Sequence, residues 1–231
     1  MRLKQKLRIS NQGFTMVELL IAMVVALLAL SAIYSTFLSQ HKSYLAQGET
    51  AAMHQNIRTA MFYLQREIRM AGCDPIGTAG AGITTANATS INFTEDVRGD
   101  LVGSDSDGAA DDDNENITYA LSGNNLVRNT NLGAGDRIVA QNIDAIDFVY
   151  LDGSYPPNVL NPGGINVPAA NLNQIRSVEV TIVARTGRAT LTSSNNNAYL
   201  NQRGTQIFLA PGDNFSRRRL TASIKCRNLG I

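Results

Sequence analysis

From Leu19 to Gln40 the chain carries no charged residue and neither proline nor glycine. At about 1.5 Å of rise per residue, a helix of that length spans a hydrocarbon core of roughly 30 Å. The run therefore restricts the fold to one in which a membrane-length helix comes before everything else. Its flanks separate it from a secretory leader, which places a small-residue cleavage site after its apolar core. Here the basic segment, with Arg2, Lys4, Lys6 and Arg8, ends at Gly13, the apolar run opens at Phe14, and no Ala-x-Ala-like site follows. Glu18 stands just inside the apolar segment. An unpaired carboxylate in lipid costs several kcal/mol, so this one requires a partner.

Gly13-Phe14-Thr15-Met16-Val17-Glu18, followed by the long apolar helix, resembles the cleavage and methylation motif of type IV pilins and type II secretion pseudopilins. The resemblance implies a leader of residues 1–13, a cut after Gly13 by a membrane peptidase, and N-methylation of the new terminal amine of Phe14. It implies further that the helix first anchors the subunit in the inner membrane, with its C-terminal domain in the periplasm, and then packs in the axis of a filament at the cell surface. Glu18 would neutralise the terminal amine of its own or a neighbouring subunit. The implied partners are the prepilin peptidase and methyltransferase, the inner-membrane assembly platform, and other minor and major pilins. A purely local reading stands beside this one: Thr15-x-x-Glu18 also fits a capping box, with Thr15 as N-cap. Major pilins commonly carry a proline in the apolar half of this helix, and its absence here points to a minor pilin or a pseudopilin.

Beyond the membrane segment the chain is long enough for one globular domain. Twenty basic residues face nineteen acidic ones, and without the four leader cations sixteen face nineteen. That balance gives no basic face for nucleic acid, and only Arg217-Arg218-Arg219 is locally dense. Helix periodicity continues past the apolar run. Ala46, Thr50, Met53, Ile57, Met61, Leu64, Ile68 and Ala71 fall at helical spacing and form one apolar stripe, with Glu49, Arg58, Arg66, Glu67 and Arg69 off it. Gly72 and Pro75 predict the stop. One helix is thus expected from about Thr15 to Ala71, divided by environment into a membrane and assembly half, 14–40, and an amphipathic half, 41–72. The globular domain follows over 73–231.

Residues 74–116 turn to Gly, Ala, Thr, Asn and Asp, which predicts loops with one strand at Ser90 to Thr94. Alternation at Ile117, Tyr119 and Leu121, the Ser122-Gly123-Asn124-Asn125 turn, and Leu126 with Arg128 predict a hairpin. Further strands are expected at Arg137 to Ala140, Ile143 to Leu151, Ile175 to Ala184 and Leu220 to Arg227. In the third of these Val178, Val180 and Ile182 take one face and Ser177, Glu179 and Thr181 the other. The last places Leu220, Ala222, Ile224 and Cys226 on a shared inner face. The expected fold is α+β, a long N-terminal transmembrane and amphipathic helix packed on an antiparallel β-sheet, as in pilins.

Four later segments, Phe62 to Gly72, Ile143 to Leu151, Ser177 to Arg185 and Arg217 to Asn228, resemble PilW-type minor pilins of the type IV pilus. That resemblance implies a subunit of the complex that primes pilus assembly and stays at the tip; the related J-type pseudopilin of type II secretion and a tip adhesin acting through loops 74–116 or 152–173 are the alternatives. Cys73, just past the helix, and Cys226 would both be carried into an oxidising compartment, where an even number of cysteines tends to pair. Either a disulfide staples the helix end to the last strand, or both remain buried thiols; the PilW pattern, which often has an aromatic at the first position, does not supply the bridge. Asp105, Asp107, Asp111, Asp113 and Glu115 offer the oxygens a Ca²⁺ loop uses, without EF-hand spacing, and read equally as a solvated acidic loop. No other cofactor is expected. His41 and His54 lie on the helix without companions at metal-ligand spacing, and no hydrolase or phosphate-loop motif is present. Asp144 and Asp147 form the one carboxylate pair that invites acid–base chemistry, and solvation at a strand edge is the simpler reading. The chain is not expected to be an enzyme.

Overall fold

The computed structural model describes residues 13–99, 105–130 and 135–230; the expected leader, apart from Gly13, lies outside them. By its contacts the chain divides into two units, Met1–Gln47 and Gly48–Ile231. A single helix, α1, runs Met16–Met70, as the periodicity predicts. In the first unit its side chains from Met16 to Tyr44 are exposed, including Leu20, Val24, Leu28 and Phe37. A stretch of this helix is long and apolar enough to cross a membrane, and none of that stretch is buried within the protein.

In the second unit α1 buries Met53, Ile57, Ala60, Met61, Leu64 and Ile68. The stripe is therefore the packed face, with one departure. Glu67, expected off the stripe, is buried, because its spacing from Ala60 and Leu64 places it on the same face. Gly72 ends the helix in the left-handed region at φ 77°, the conformation in which a glycine avoids the Cβ penalty.

Ten strands follow. β1 (Ile83–Ala86), β2 (Ser90–Thr94), β3 (Asn116–Ser122), β4 (Asn125–Asn129) and β5 (Arg137–Gln141) form a five-stranded sheet in sequence order, antiparallel throughout. β6 (Ile143–Leu151), β7 (Ser177–Arg185) and β10 (Arg217–Lys225) form a second antiparallel sheet in the order β10-β7-β6. β8 (Tyr199–Leu200) and β9 (Gln206–Phe208) form a short ribbon. The expectation of one sheet thus resolves into two principal sheets. The segment expected to hold one strand holds β1 as well as β2, and the loop before the last strand contains the β8–β9 ribbon.

The two principal sheets share one core with α1. Ile91, Phe93, Tyr119 and Leu126 of the first sheet and Phe148, Tyr150, Val178, Val180, Ile182 and Ile224 of the second join Ile57, Leu64 and Ile68 in a single buried cluster. Side chains alternate across a strand, so the opposite face of β7 presents Glu179, Thr181 and Val183. Thr181 and Val183 are also buried, and Arg203, from the turn between β8 and β9, pairs with Glu179 on that face at 2.7 Å. The second sheet is therefore covered on both faces, which explains the nearly continuous burial of β6 and β7.

Candidate functional site

Gly13, Phe14 and Thr15 lie outside the helix and are exposed, Phe14 at 81 %. The Gly13–Phe14 peptide bond is thus neither engaged in helical hydrogen bonds nor covered by side chains, which is what proteolysis of a segment requires. One turn on, the capping box is formed. The Glu18 amide donates to Thr15 Oγ1 at 3.2 Å, and the Thr15 amide donates to Glu18 Oε2 at 3.4 Å. Thr15 Oγ1 donates to the same carboxylate oxygen, and the Thr15 carbonyl accepts from the Leu19 amide at 3.1 Å. The Glu18 carboxylate thereby sits at the positive end of the helix dipole, two residues from the helix start. The segment brings a cleavable exposed peptide, an aromatic first residue and a fixed carboxylate within one helical turn of each other.

The remaining residues singled out in the sequence are placed elsewhere. Glu115, expected among the calcium oxygens, is fully buried and turned toward backbone. Its Oε1 accepts the amides of Val97 and Arg98 and its Oε2 that of Asp112. Asp107 caps its own turn by accepting the Ala109 amide, while Asp105, Asp111 and Asp113 are exposed. Among the described residues no three acidic, histidine or cysteine side chains are grouped so as to hold a metal ion. Cys73 and Cys226 are free thiols, so the expected staple is absent as a covalent bond. Burial pushes the Cys226 thiol up to about 12, and burial together with Glu95, Asp96 and Asp74 raises that of Cys73. The helix end and the end of the chain are joined by other means. Asn228 Nδ2 donates to the carbonyls of Met70 at 3.1 Å and Arg69 at 3.5 Å. Where a Cβ on Gly72 would stand, it meets the Leu229 side chain. His41 stacks on Phe37 along the helix.

Three buried charge clusters escaped the sequence reading. Around Glu67, Tyr119 Oη donates to Oε2 at 2.6 Å, Arg128 Nε to the same oxygen at 2.9 Å, and Arg66 to Oε1 at 3.3 Å. Of Asp144 and Asp147, expected to be solvated, Asp147 is buried, and Asp144, half-buried as a residue, has a side chain only 3 % exposed. Asp144 is held by Arg217 Nε at 2.6 Å, by Arg185 at 3.4 Å and by Asn124. Arg217, read as part of a dense basic patch, has a side chain only 2 % exposed and a second partner in Asp213. Asp147 accepts from Asn201 Nδ2 at 3.0 Å and lines a cavity of about 210 Å³. Tyr119, Arg128, Asn201 and Arg217 lie from 52 to 73 residues along the chain from the carboxylates they hold. The one local signal was the helical spacing of Glu67.

Residues 8–34 match the family model of the prokaryotic N-terminal methylation motif. The chain carries a prokaryotic N-terminal methylation motif. Gly13, Phe14 and Glu18 all fall within the matched segment, which covers the start of α1 and the apolar run. Among solved structures the chain is similar to a type IV-like pilin from Thermus thermophilus, with 14 % identity and a TM-score of 0.48, over 77 % of this chain and 98 % of the other. No curated protein matches it.

Proposed function

We propose that the protein is a minor pilin of a type IV pilus, cleaved after Gly13 and N-methylated on Phe14, that helps to start pilus assembly and takes a place at the filament tip. The observation that carries this reading is the methylation motif at the head of an uncharged apolar helix, with Glu18 fixed in its first turn. Before assembly the apolar helix lies in the inner membrane and the domain in the periplasm. Assembly moves that helix from lipid to protein neighbours, and Glu18 then has a defined electrostatic partner in an N-terminal amine. The partners on this reading are other pilins, the peptidase and methyltransferase, and the assembly platform. The function needs no chemistry of the chain's own.

The test is the intact mass and N-terminal sequence of the protein purified from membranes of cells with an active prepilin peptidase. The expected result is a chain beginning at N-methylated Phe14. An uncut chain would leave a plain anchored domain and remove the assembly reading.

A further inference from the structure

The structure assigns a second site: the cavity beside β6 is a receptor for a primary alkylammonium group, held by the carboxylate of Asp147. The cavity, of about 210 Å³, is lined by Asp147, Asn161, Gly163, Asn201, Arg203 and Thr205 among others. That volume admits the end of one lysine-sized side chain and little more. Asp147 is 7 % exposed, and among the described residues no cationic side chain pairs with it. Its hydrogen-bond partner is the neutral Asn201 amide. Arg203, the cation of the cavity wall, is committed elsewhere: its Nε and Nη2 bind both oxygens of Glu179 at 2.8 and 2.7 Å. The fixed charges of the wall therefore sum to one uncompensated carboxylate.

Among the described buried carboxylates three are answered, while Glu95 Oε2 and Asp96 Oδ1 are buried without a hydrogen-bond partner. Glu67 has Arg128, Asp144 has Arg217, and Glu115 has three amides. A buried charge without a counter-charge is costly, and an incoming cation removes that cost. Burial accordingly holds the Asp147 carboxyl above its ordinary range.

The wall is also rigid and suits an ammonium's three donors. Asn201 Oδ1 accepts the amides of Arg203 and Thr205, locking the turn between β8 and β9. Asn161 bridges β6 by accepting the Tyr150 amide and donating to the Phe148 carbonyl. An ammonium donates only; the carboxylate oxygens of Asp147 and the Thr205 hydroxyl accept, whereas Asn201 Oδ1 and Asn161 Oδ1 already accept backbone amides. A carboxylate or phosphate ligand would meet Asp147 with like charge.

The experiment is calorimetric titration of the full-length protein in detergent with n-butylammonium chloride, and separately with a neutral-capped peptide containing one lysine. Tetramethylammonium chloride at equal ionic strength is the control. One saturable site with a Kd on the order of 1 mM is expected for n-butylammonium, and none for tetramethylammonium, which has no donors. Saturation by both ligands identifies the free amine as sufficient, and saturation by the peptide alone assigns the site to a lysine of a protein partner; both support the proposal. Asp147→Asn should abolish the saturable heat. Val159→Phe, which narrows the cavity and leaves the carboxylate in place, should abolish it as well, and circular dichroism of each variant establishes that it is folded. Absence of saturation with both ligands in the folded wild type, or unchanged binding in folded Asp147→Asn, would overturn the assignment.

Discussion

Glu95 keeps its proton into the neutral range, because burial and the nearby carboxylates of Glu67 and Glu115 outweigh Arg128 and Arg66, raising it to about 7 from 4.5. Its Oε2 is buried without a hydrogen-bond partner. A group whose folded pKa is raised contributes stability that is full below the unfolded value and is lost as pH rises through the folded one. At 1.36 kcal/mol per pKa unit this group alone removes about 3 kcal/mol of stability between pH 4.5 and pH 7. Thermal melts of Glu95→Gln and wild type, followed by circular dichroism at pH 5 and pH 8, should show a smaller loss in the variant; parallel losses would exclude the effect. At Arg217 the argument is one of pairing. Its removal leaves Asp144, whose side chain is 3 % exposed, with the longer contact to Arg185 as its only ion pair among the described residues, beside the neutral Asn124 amide. Arg217→Ala should therefore cost about 3 to 5 kcal/mol. Arg218→Ala, at an exposed position, should stay within about 0.5 kcal/mol. Urea unfolding of the two variants distinguishes these outcomes.

At the scale of elements, local chemistry was legible and partnership was not. The stripe on α1, the Gly72 stop and the Gly123-Asn124 hairpin turn each depend on neighbours within a few residues, and the helix Met16–Met70 and the β3–β4 hairpin follow them closely. The Thr15 and Glu18 box is equally local, so the candidate site could be read in full from its residues. Division of the strands into two sheets depends on pairings such as Ile143 with Ala184 and Arg217 with Arg185, for which no short window carries a signal. The burial of the Asp144 and Asp147 side chains has the same origin: strand alternation shows that Asp147 points away from Phe148 but not that the β8–β9 ribbon lies on that side, and no short window shows the register shift between Ile143 and Ala145 that surrounds Asp144. The helix end offers an element-scale test. Gly72→Ala would combine the left-handed strain, about 1 to 2 kcal/mol, with the clash against Leu229. Asn228→Ala would remove only the hydrogen bonds to the last turn, worth about 1 kcal/mol. Chemical denaturation should rank the two in that order, and an equal or reversed ranking would mean that Leu229 yields freely.

For the whole molecule, the division at Gln47 separates a helical unit whose apolar side chains are exposed among the described residues from a domain that completes its own core. On the proposed function, processing and folding of the domain are independent of the step that needs Glu18. Glu18→Ala should therefore still be cut at Gly13 and give a folded domain, yet fail to support filaments, as read by mass spectrometry and electron microscopy of piliated cells. Normal piliation in that variant would contradict the role assigned to the carboxylate. The contact between Asn228 and the carbonyls of Arg69 and Met70 spans 159 and 158 residues. Synthesis proceeds from the N-terminus, so the helix leaves the ribosome well before the side chain that closes its far end. During that interval the end of the helix has water where Asn228 will be, and the second sheet lacks β10, its outer strand against β7. The domain is thus incomplete until β10 and Asn228 are made, and the closing of the last strand against β7 and of Asn228 onto the helix end completes it.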